Sequence, residues 1–308
     1  MSVVASETPP ARAPEPAVES PARRFAAEFA ESRLALLGLA MLLAIVVLAI
    51  AAPAISPQNP YDLAQLDVLD SKLAPGEVSA SSGRRYWLGT DDQGRDMLSG
   101  IFYGIRISLL VGVTSTAIAL TLGLVLGLAS AYFGGFTDAV IMRIADIQLS
   151  FPAILIALVL LAVLGQGVDK IIVSLVAVQW AYYARTVRSA ALVERQKEYI
   201  EAAQVLALSR PRIVFRHLLP NCLPPLIVVA TVQVAHAIQL EAALSFLGLG
   251  LPITEPSIGL LISNGFQYLL SGKYWISFYP GVALLLTIVA INLVADQLRD
   301  VMNPRLKR

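Results

Sequence analysis

Long runs without a single charged residue dominate this sequence of 308 residues. The first run, residues 34–55, would form a helix about 33 Å long, which matches a hydrocarbon core of roughly 30 Å. Similar runs recur and predict an all-α, polytopic membrane protein with six transmembrane helices. The predicted spans are residues 34–55, 108–132, 147–168, 171–184, 222–247 and 274–295. The fourth span has only 14 uncharged residues, so it has to be short, tilted or extended by polar residues.

The composition agrees with a membrane protein and excludes several other classes. Hydrophobic residues make up 56% of the chain and charged residues 15%, whereas soluble domains carry about a quarter charged residues. The net charge of +1 excludes a strongly basic nucleic-acid-binding protein, so no nucleic acid is expected as a partner. The single cysteine, Cys222, excludes an internal disulfide, and with two histidines it leaves little for a metal site.

Charge and composition divide the chain into three regions. Residues 1–33 lack apolar periodicity and are predicted to be a largely disordered tail, residues 34–105 hold the first span and the segment after it, and residues 106–308 hold the other five spans. A cleaved signal peptide is the alternative for residues 34–55, but signal peptides are shorter and start nearer the N-terminus. Sixteen of the 23 Lys and Arg residues fall on the side of the two termini, so the termini and the loop at residues 190–221 are predicted to be cytosolic.

The loop at residues 190–221 is more elaborate than a connection between two spans requires. Residues 193–208 have a helix-favouring composition, and Ser209 is predicted to cap a second short helix, with Pro211 at a position near its start that tolerates proline. Residues 218–221 are predicted to end this element. Two such helices would form a compact, charged knob suited to a groove on another protein. An amphipathic loop lying at the lipid headgroups is the alternative from charge alone.

Three segments carry a specific resemblance to a known family. In the loop, Tyr-Ile-Glu-Ala-Ala at residues 199–203 is followed by Leu-Pro at residues 219–220, eighteen and nineteen positions after Glu201. Outside the loop, segments between residues 87 and 109 and the sequence Leu-Ser-Phe-Leu-Gly-Leu-Gly at residues 244–250 match in the same order. The chain therefore resembles the binding-protein-dependent ABC importer permeases of the peptide/nickel family, of the dipeptide and oligopeptide permease C subunit type. This resemblance implies the type I ABC importer permease fold.

The resemblance gives the loop a role, because in this family the loop docks onto the ATP-hydrolysing subunit. The residues implied in ATPase coupling are Tyr199, Glu201, Ala202, Ala203, Ala207, Ser209, Arg212, His217, Leu219 and Pro220. One of them departs from the family. The position six residues after the glutamate is usually glycine and here is Ala207, which keeps the position small but is expected to straighten the turn.

The resemblance also implies partners and a location. The partners are a second homologous permease subunit, two ABC ATPase subunits that bind ATP and Mg²⁺, a periplasmic or lipid-anchored substrate-binding protein, and membrane lipid. The chain itself has no Gly-x-x-x-x-Gly-Lys-Ser/Thr phosphate loop and no Ser/His/Asp set at a readable spacing. No enzyme activity, catalytic residue, metal or cofactor is therefore expected on it. The implied location is the bacterial inner membrane, with the segment after the first span in the periplasm.

Short peptides are the substrate expected from the resemblance, and nickel chelates, glutathione or another small solute are the alternatives within the family. Glu241 lies inside an apolar run, where a carboxylate is costly unless it faces a cavity or a partner. Glu241 and Gln239 are therefore possible pathway residues. The equal alternative is that Glu241 pairs with Gln239 or His236 and only holds helices together. An ion-coupled carrier that uses Glu241, and a membrane scaffold that transports nothing, are the alternatives from other classes.

Smaller features predict packing rather than chemistry. Gly123 and Gly127 would let another helix approach the second span closely. Pro152 predicts a fixed bend in the third span, with a moving hinge as the alternative. In the segment after the first span, Asp91 or Asp92 is expected to cap the next helix, unless the glycines of this turn form an anion-binding nest.

Overall fold

The computed structural model describes residues 20–60 and 62–302, and within this part the chain is helical, with two isolated β-bridges and no β-strand. The predicted all-α class is confirmed. The helices are α1 (Pro21–Ala30), α2 (Arg33–Ile55), α3 (Met97–Phe133), α4 (Gly135–Leu149), α5 (Ala153–Leu164), α6 (Val168–Arg195), α7 (Glu198–Val205), α8 (Arg210–Arg212), α9 (Leu219–Phe246), α10 (Ile258–Phe266) and α11 (Trp275–Met302). Short 3₁₀ turns lie at Leu63–Gln65, Val68–Asp70 and Leu269–Ser271.

Four stretches of the described chain are long and apolar enough to cross a membrane. They are α2, α3, α11 and the continuous helical stretch from Arg210 to Phe246 that ends with α9, and the bent pair of α4 and α5 is a fifth candidate. The first, second, fifth and sixth predicted spans overlap these four stretches. The predicted number of six spans is not confirmed, because α6 is long enough at 28 residues but carries charged and polar residues toward both ends.

The third predicted span, residues 147–168, is wrong as a single helix. α4 ends at Leu149 and α5 begins at Ala153, and the two helices are bent by 92° relative to each other. Pro152 occupies the N-cap position of α5, and a proline disfavours the helical conformation of the residue before it. The proline therefore separates two helices instead of bending one.

Helix α6 is twice as long as the fourth predicted span, residues 171–184, because the charges in its second half find partners on α4. The Arg188 guanidinium donates two hydrogen bonds to Asp138, at 2.5 and 2.6 Å, and Arg185 pairs with Asp146. Two parallel hydrogen bonds between arginine and carboxylate are a strong arrangement. The charges that end the apolar run therefore do not end the helix.

Helices α3 and α6 pack closely through the two glycines that the sequence predicts as packing positions. A Cβ atom at Gly123 would lie 2.7 Å from the carbonyl oxygen of Trp180, and one at Gly127 would lie 2.6 Å from the carbonyl oxygen of Ala184. These distances are too short for atoms that are not bonded, so only glycine permits this approach of the two backbones. The predicted role in helix packing is confirmed.

The segment between α2 and α3 ends in a turn that leads into α3. Asp96 caps α3, because its carboxylate accepts the Ser99 N–H at 2.9 Å, so the predicted cap at Asp91 or Asp92 is wrong. Asp91 instead closes the preceding turn by accepting the Arg95 N–H at 2.9 Å. The turn is therefore held by a carboxylate at its centre, which is unsuitable for an anion.

The predicted disordered tail contains a helix. The ring of Phe25 stacks on that of Phe29 within α1, with 6.5 Å between the ring centroids, and Gln297 of α11 donates a hydrogen bond to the Glu28 carbonyl at 3.1 Å. The ring contact is local to α1, whereas the hydrogen bond from Gln297 ties α1 to α11, which the composition of α1 does not indicate. The remainder of the predicted tail, residues 1–19, lies outside the described residues.

Candidate functional site

The loop between α6 and α9 folds into a small helical unit, which we call the knob and define as residues 196–218. Its core consists of the buried side chains of Ile200, Ala203 and Ile213, with Leu208 packed against them. Helices as short as α7 and α8 are not stable alone in water, so this shared core holds the unit together. The knob therefore has a core of its own.

Ala207 forms the turn between the two helices of the knob. Its φ of 53° lies in the left-handed region, which residues other than glycine adopt rarely. The Ala207 N–H donates to the Gln204 carbonyl at 2.9 Å and the Leu208 N–H donates to the Ala203 carbonyl at 3.2 Å, which are the two hydrogen bonds of a Schellman helix end. Alanine takes the conformation that glycine would take here. The expected straightening of the turn is wrong.

The second helix of the knob continues into α9, so the predicted end at residues 218–221 is wrong. Ser209 occupies the N-cap position of α8, but its side chain accepts no hydrogen bond from a backbone N–H of the described residues. Pro211 lies in the first turn of α8. Residues 213–218 form one π-helical turn that leads directly into α9. This wider turn comes just before Pro220, which has no N–H to offer to the helical hydrogen bonds.

Apolar side chains are exposed around the tip of the knob. Val205, Leu206 and Phe215 are 86%, 73% and 66% exposed. Glu201 and Arg212 on the same helical segments are also exposed. Large apolar side chains that are exposed together, with charged residues beside them, indicate an interaction surface. We call Val205, Leu206 and Phe215 the knob tip.

The ten predicted coupling residues lie on the knob or at the first turn of α9. Those with exposed side chains are Tyr199, Glu201, Ala202, Ala207, Ser209, Arg212 and Pro220, whereas His217 and Leu219 are half-buried and Ala203 belongs to the knob core. The loop therefore presents most of them at its surface. Their contact with an ATPase subunit stays a prediction.

Tyr199 joins the knob to both neighbouring helices. Its hydroxyl donates to the Glu194 carboxylate in the last turn of α6 at 2.7 Å, and it accepts a hydrogen bond from the Asn221 amide in the first turn of α9 at 3.0 Å. Burial and then the hydrogen bond to Glu194 raise the pKa of Tyr199 to about 12, so the hydroxyl keeps its proton at neutral pH. We call these three residues the tyrosine bridge. Sequence spacing does not point to Glu194 or Asn221, because a helix break separates each of them from Tyr199.

A cavity of about 860 Å³ lies along one face of α9, bordered by α6 and α11. The predicted pathway residue Gln239 lines it, and Gln233, His236 and Gln239 share one face of α9 because they are three residues apart. The polar side chains in its lining include those of Gln179, Thr186, Gln233, His236, Gln239 and Arg299. Polar side chains inside membrane spans mark cavities, partners or pathways, so this cavity is the candidate pathway of the chain.

Glu241 does not line this cavity. Its side chain is fully buried, and its two carboxylate oxygens accept hydrogen bonds from Ser108 of α3 at 2.7 Å and from Ser245 at 2.9 Å. The predicted position in the pathway is therefore not observed for Glu241. The alternative that Glu241 holds helices together is therefore observed, but the partners are Ser108 and Ser245 instead of Gln239 or His236. The carboxylate links α3 to α9.

Comparison with known proteins identifies the family of this chain. Residues 119–308 match the family described as the binding-protein-dependent transport system inner membrane component, and residues 20–75 match the N-terminal TM domain of oligopeptide transport permease C. The first match covers more than half of the chain. The chain belongs to this family. It is therefore a permease subunit of an ABC importer, and the ion-coupled carrier and the scaffold are set aside.

Two relatives match the permease over almost its whole length. The di/tripeptide transport system permease protein DppC of Pseudomonas aeruginosa is 36% identical, and the alignment covers 97% of each chain. The dipeptide transport system permease protein DppC of Escherichia coli is 39% identical, with 95% of this chain and 96% of the relative covered. The resemblance to dipeptide and oligopeptide permease C subunits is confirmed.

A solved structure agrees with the fold of the permease. The MetNI methionine ABC transporter in inward-facing conformations contains a chain that superimposes with a TM-score of 0.54 and 22% identity, and the match covers 67% of this chain and 98% of that chain. The similarity supports the predicted type I ABC importer permease fold.

Proposed function

We propose that this permease moves short peptides, that is, di- and oligopeptides, across the bacterial inner membrane with energy from ATP hydrolysis. It works with a second homologous permease subunit, with two ABC ATPase subunits that bind ATP and Mg²⁺, and with a periplasmic or lipid-anchored substrate-binding protein. Both termini and the knob face the cytosol, and the segment between α2 and α3 faces the periplasm. Nickel chelates, glutathione or another small solute are the alternative cargo.

The knob is the observation that carries this proposal. It has a core of its own, an exposed apolar tip and connections to α6 and α9, so a force applied at the tip reaches both helices. Those two helices also border the cavity. Closure of ATPase subunits around the knob would therefore move the walls of the candidate pathway, which is how a local binding event shifts a transporter between two conformations.

The lining of the cavity supports a peptide cargo. The exposed amide of Gln239 offers donors and an acceptor, the same groups that a peptide bond offers in return. Valine, leucine and alanine side chains make up much of the remaining lining, and these accept varied side chains without strong selection. The names of the two relatives, a di/tripeptide and a dipeptide transport permease, point to the same cargo.

Transport by the reconstituted importer tests the proposal. The permease would be purified with its sister subunit and ATPase subunits and placed in vesicles that enclose ATP, with the binding protein and radiolabelled dialanine outside. We expect uptake that requires both ATP and the binding protein and that excess trialanine reduces. Uptake of a nickel–histidine chelate or of glutathione without any peptide uptake would overturn the peptide assignment, and peptide uptake without ATP would overturn the coupling.

A further inference from the structure

The tyrosine bridge spans the two weakest connections of the knob. On one side, α6 and α7 are joined by only Gln196 and Lys197, which lie outside both helices. On the other side, the knob meets α9 through a π-helical turn and Pro220, where the regular α-helical hydrogen bonds are interrupted. Neither connection is a continuous α-helix. A force on the knob could therefore be lost as local bending at either place.

Four hydrogen bonds hold the side chains of the bridge. The Asn221 amide donates to the Tyr199 hydroxyl at 3.0 Å and to the His217 carbonyl at 2.7 Å, which uses both of its hydrogens. The Glu194 carboxylate accepts from Tyr199 with one oxygen and from Lys197, at 2.5 Å, with the other. The hydroxyl hydrogen of Tyr199, both amide hydrogens of Asn221 and both carboxylate oxygens of Glu194 therefore have partners, which holds the three side chains in one arrangement.

The bridge is separate from the core that holds the knob together. That core consists of Ile200, Ala203, Ile213 and Leu208, and Tyr199 is not part of it. The Tyr199 side chain is 37% exposed, so loss of its hydroxyl leaves no large buried cavity. The role of the hydroxyl in connecting helices is therefore separable from the stability of the knob.

We propose that Glu194, Tyr199 and Asn221 are positioning residues that make the knob move as one body with the adjacent turns of α6 and α9. The bridge sets how much transport each hydrolysed ATP produces. The knob tip determines whether the ATPase is engaged, and the bridge determines how much of its movement arrives at the helices beside the cavity. This inference rests on the proposed coupling of the knob to an ATPase.

Removal of the two hydrogen-bonding side chains, singly and together, tests the bridge. Tyr199→Phe removes the hydrogen bonds with Glu194 and Asn221, and Asn221→Leu removes those with Tyr199 and the His217 carbonyl. ATP hydrolysis and dialanine uptake would be measured in the same vesicles for Tyr199→Phe, Asn221→Leu and the double variant. Because one hydrogen bond contributes roughly a two- to tenfold factor in an equilibrium, we expect uptake per ATP to fall at least about threefold in each single variant. ATP hydrolysis should stay within about twofold of the unaltered importer. The double variant should resemble the worse single variant, since both act on one path.

The control is Tyr274→Phe, which removes the same hydroxyl from an exposed tyrosine beside α11, where the structure shows no hydrogen bond of that hydroxyl to the described residues. This variant should keep the uptake per ATP. An unchanged ratio in Tyr199→Phe would overturn the inference. A proportional fall of uptake and hydrolysis, with less ATPase copurified, would also overturn it, because the bridge would then serve only to stabilise the knob.

A second readout does not depend on the cargo. Spin labels at Gln204→Cys on the exposed surface of α7 and Ile227→Cys on the exposed face of α9 would report the distance between the knob and α9 in the assembled importer. The native Cys222 is fully buried and should not take up label. We expect the distance distribution to broaden at least about twofold in Tyr199→Phe. A distribution of unchanged width would refute the bridge even if dialanine were not the substrate, whereas failure of dialanine uptake alone would count against the proposed cargo.

Discussion

Ala207 shows how one residue can keep a backbone conformation that its side chain disfavours. A left-handed φ costs an L residue about 1–2 kcal/mol relative to a right-handed helical conformation. Here the two hydrogen bonds of the helix end and the contact of Leu208 with the knob core offset that cost. The geometry of the turn therefore survives the replacement of glycine by alanine, although with less stability.

Ala207→Gly should stabilise the turn by about 1 kcal/mol, because glycine adopts this φ without steric cost. Hydrogen exchange measures this change, and the exchange of the Leu208 amide should slow by roughly fivefold. The matched control is Ala202→Gly in the exposed middle of α7, where glycine costs a helix up to about 1 kcal/mol and exchange should become faster. Faster exchange in both variants would show that the left-handed turn is not the determining feature.

Asp91 gives the segment before α3 a dependence on pH. Burial raises its pKa from 3.8 to about 6, against the lowering effect of the Arg95 N–H. The folded segment therefore prefers the protonated carboxyl, so stability should fall by about 3 kcal/mol as the pH rises from about 4 to about 6 and then change little.

Thermal unfolding at several pH values, followed by tryptophan emission, measures this fall. Trp275 reports on the segment because its indole N–H donates to the Thr90 carbonyl at 3.2 Å. Asp91→Asn should abolish the decrease between pH 4 and 6. The control Asp67→Asn should retain it, because a hydrogen bond from Ser81 lowers the pKa of that partly exposed carboxyl. A decrease that persists in Asp91→Asn would contradict the assignment.

The knob is the element that the account depends on, and its two faces have different tasks. The inner face, with Ile200, Ala203 and Ile213, holds the unit together. The outer face carries the knob tip. Its apolar side chains are exposed, so packing within this chain does not account for them. A substitution on one face should therefore have a different consequence from a substitution on the other.

Ile200→Ala should destabilise the knob by about 2–4 kcal/mol, because it removes a fully buried side chain from a small core. Leu206→Asp should leave the knob folded but prevent its docking. Hydrogen exchange of α7 measures the first effect, and copurification of the ATPase subunit measures the second. If Leu206→Asp kept the ATPase while the knob stayed folded, the knob tip would not be the docking surface.

The elements of this fold could be predicted to different extents. Four of the six apolar spans and the knob could be predicted, because an uncharged run and the spacing of the Glu-Ala-Ala segment are local signals. Pro152 predicted a bend, but not one of 92° that separates two helices. The length of α6 could not be predicted, since α6 continues only because α4 supplies Asp138 and Asp146 to its arginines. The partner of the buried Glu241 carboxylate could not be predicted either, because Ser108 is 133 residues away along the chain.

At the scale of the whole molecule, two helices, α6 and α9, connect the knob to the walls of the cavity. α6 and α9 meet the knob at one end and border the cavity along their length. The segment between α2 and α3 packs around the start of α3, where Asp96 caps the helix. The distribution of Lys and Arg predicts that the knob lies in the cytosol and that this segment lies outside.

Labelling from each side of the membrane tests this orientation and the number of spans. A membrane-impermeant maleimide should label Ser82→Cys in intact spheroplasts, whereas it should label Ser209→Cys only after permeabilisation. Both positions are exposed, and the buried native Cys222 should remain unlabelled. Tags at the two termini should both be protected from external protease, as an even number of spans requires. One protected and one accessible terminus would contradict six spans.

Photo-cross-linking from the knob tip tests the central claim most directly. A photoreactive amino acid at position 206 would be activated in membranes that contain the permease with its partner subunits. The account predicts a covalent product with the ATP-hydrolysing subunit, and it predicts no such product from position 69, an exposed position in the segment between α2 and α3. Products with lipid alone from position 206 would show that the knob lies on the membrane, and would contradict the role of the knob as the connection to the ATPase.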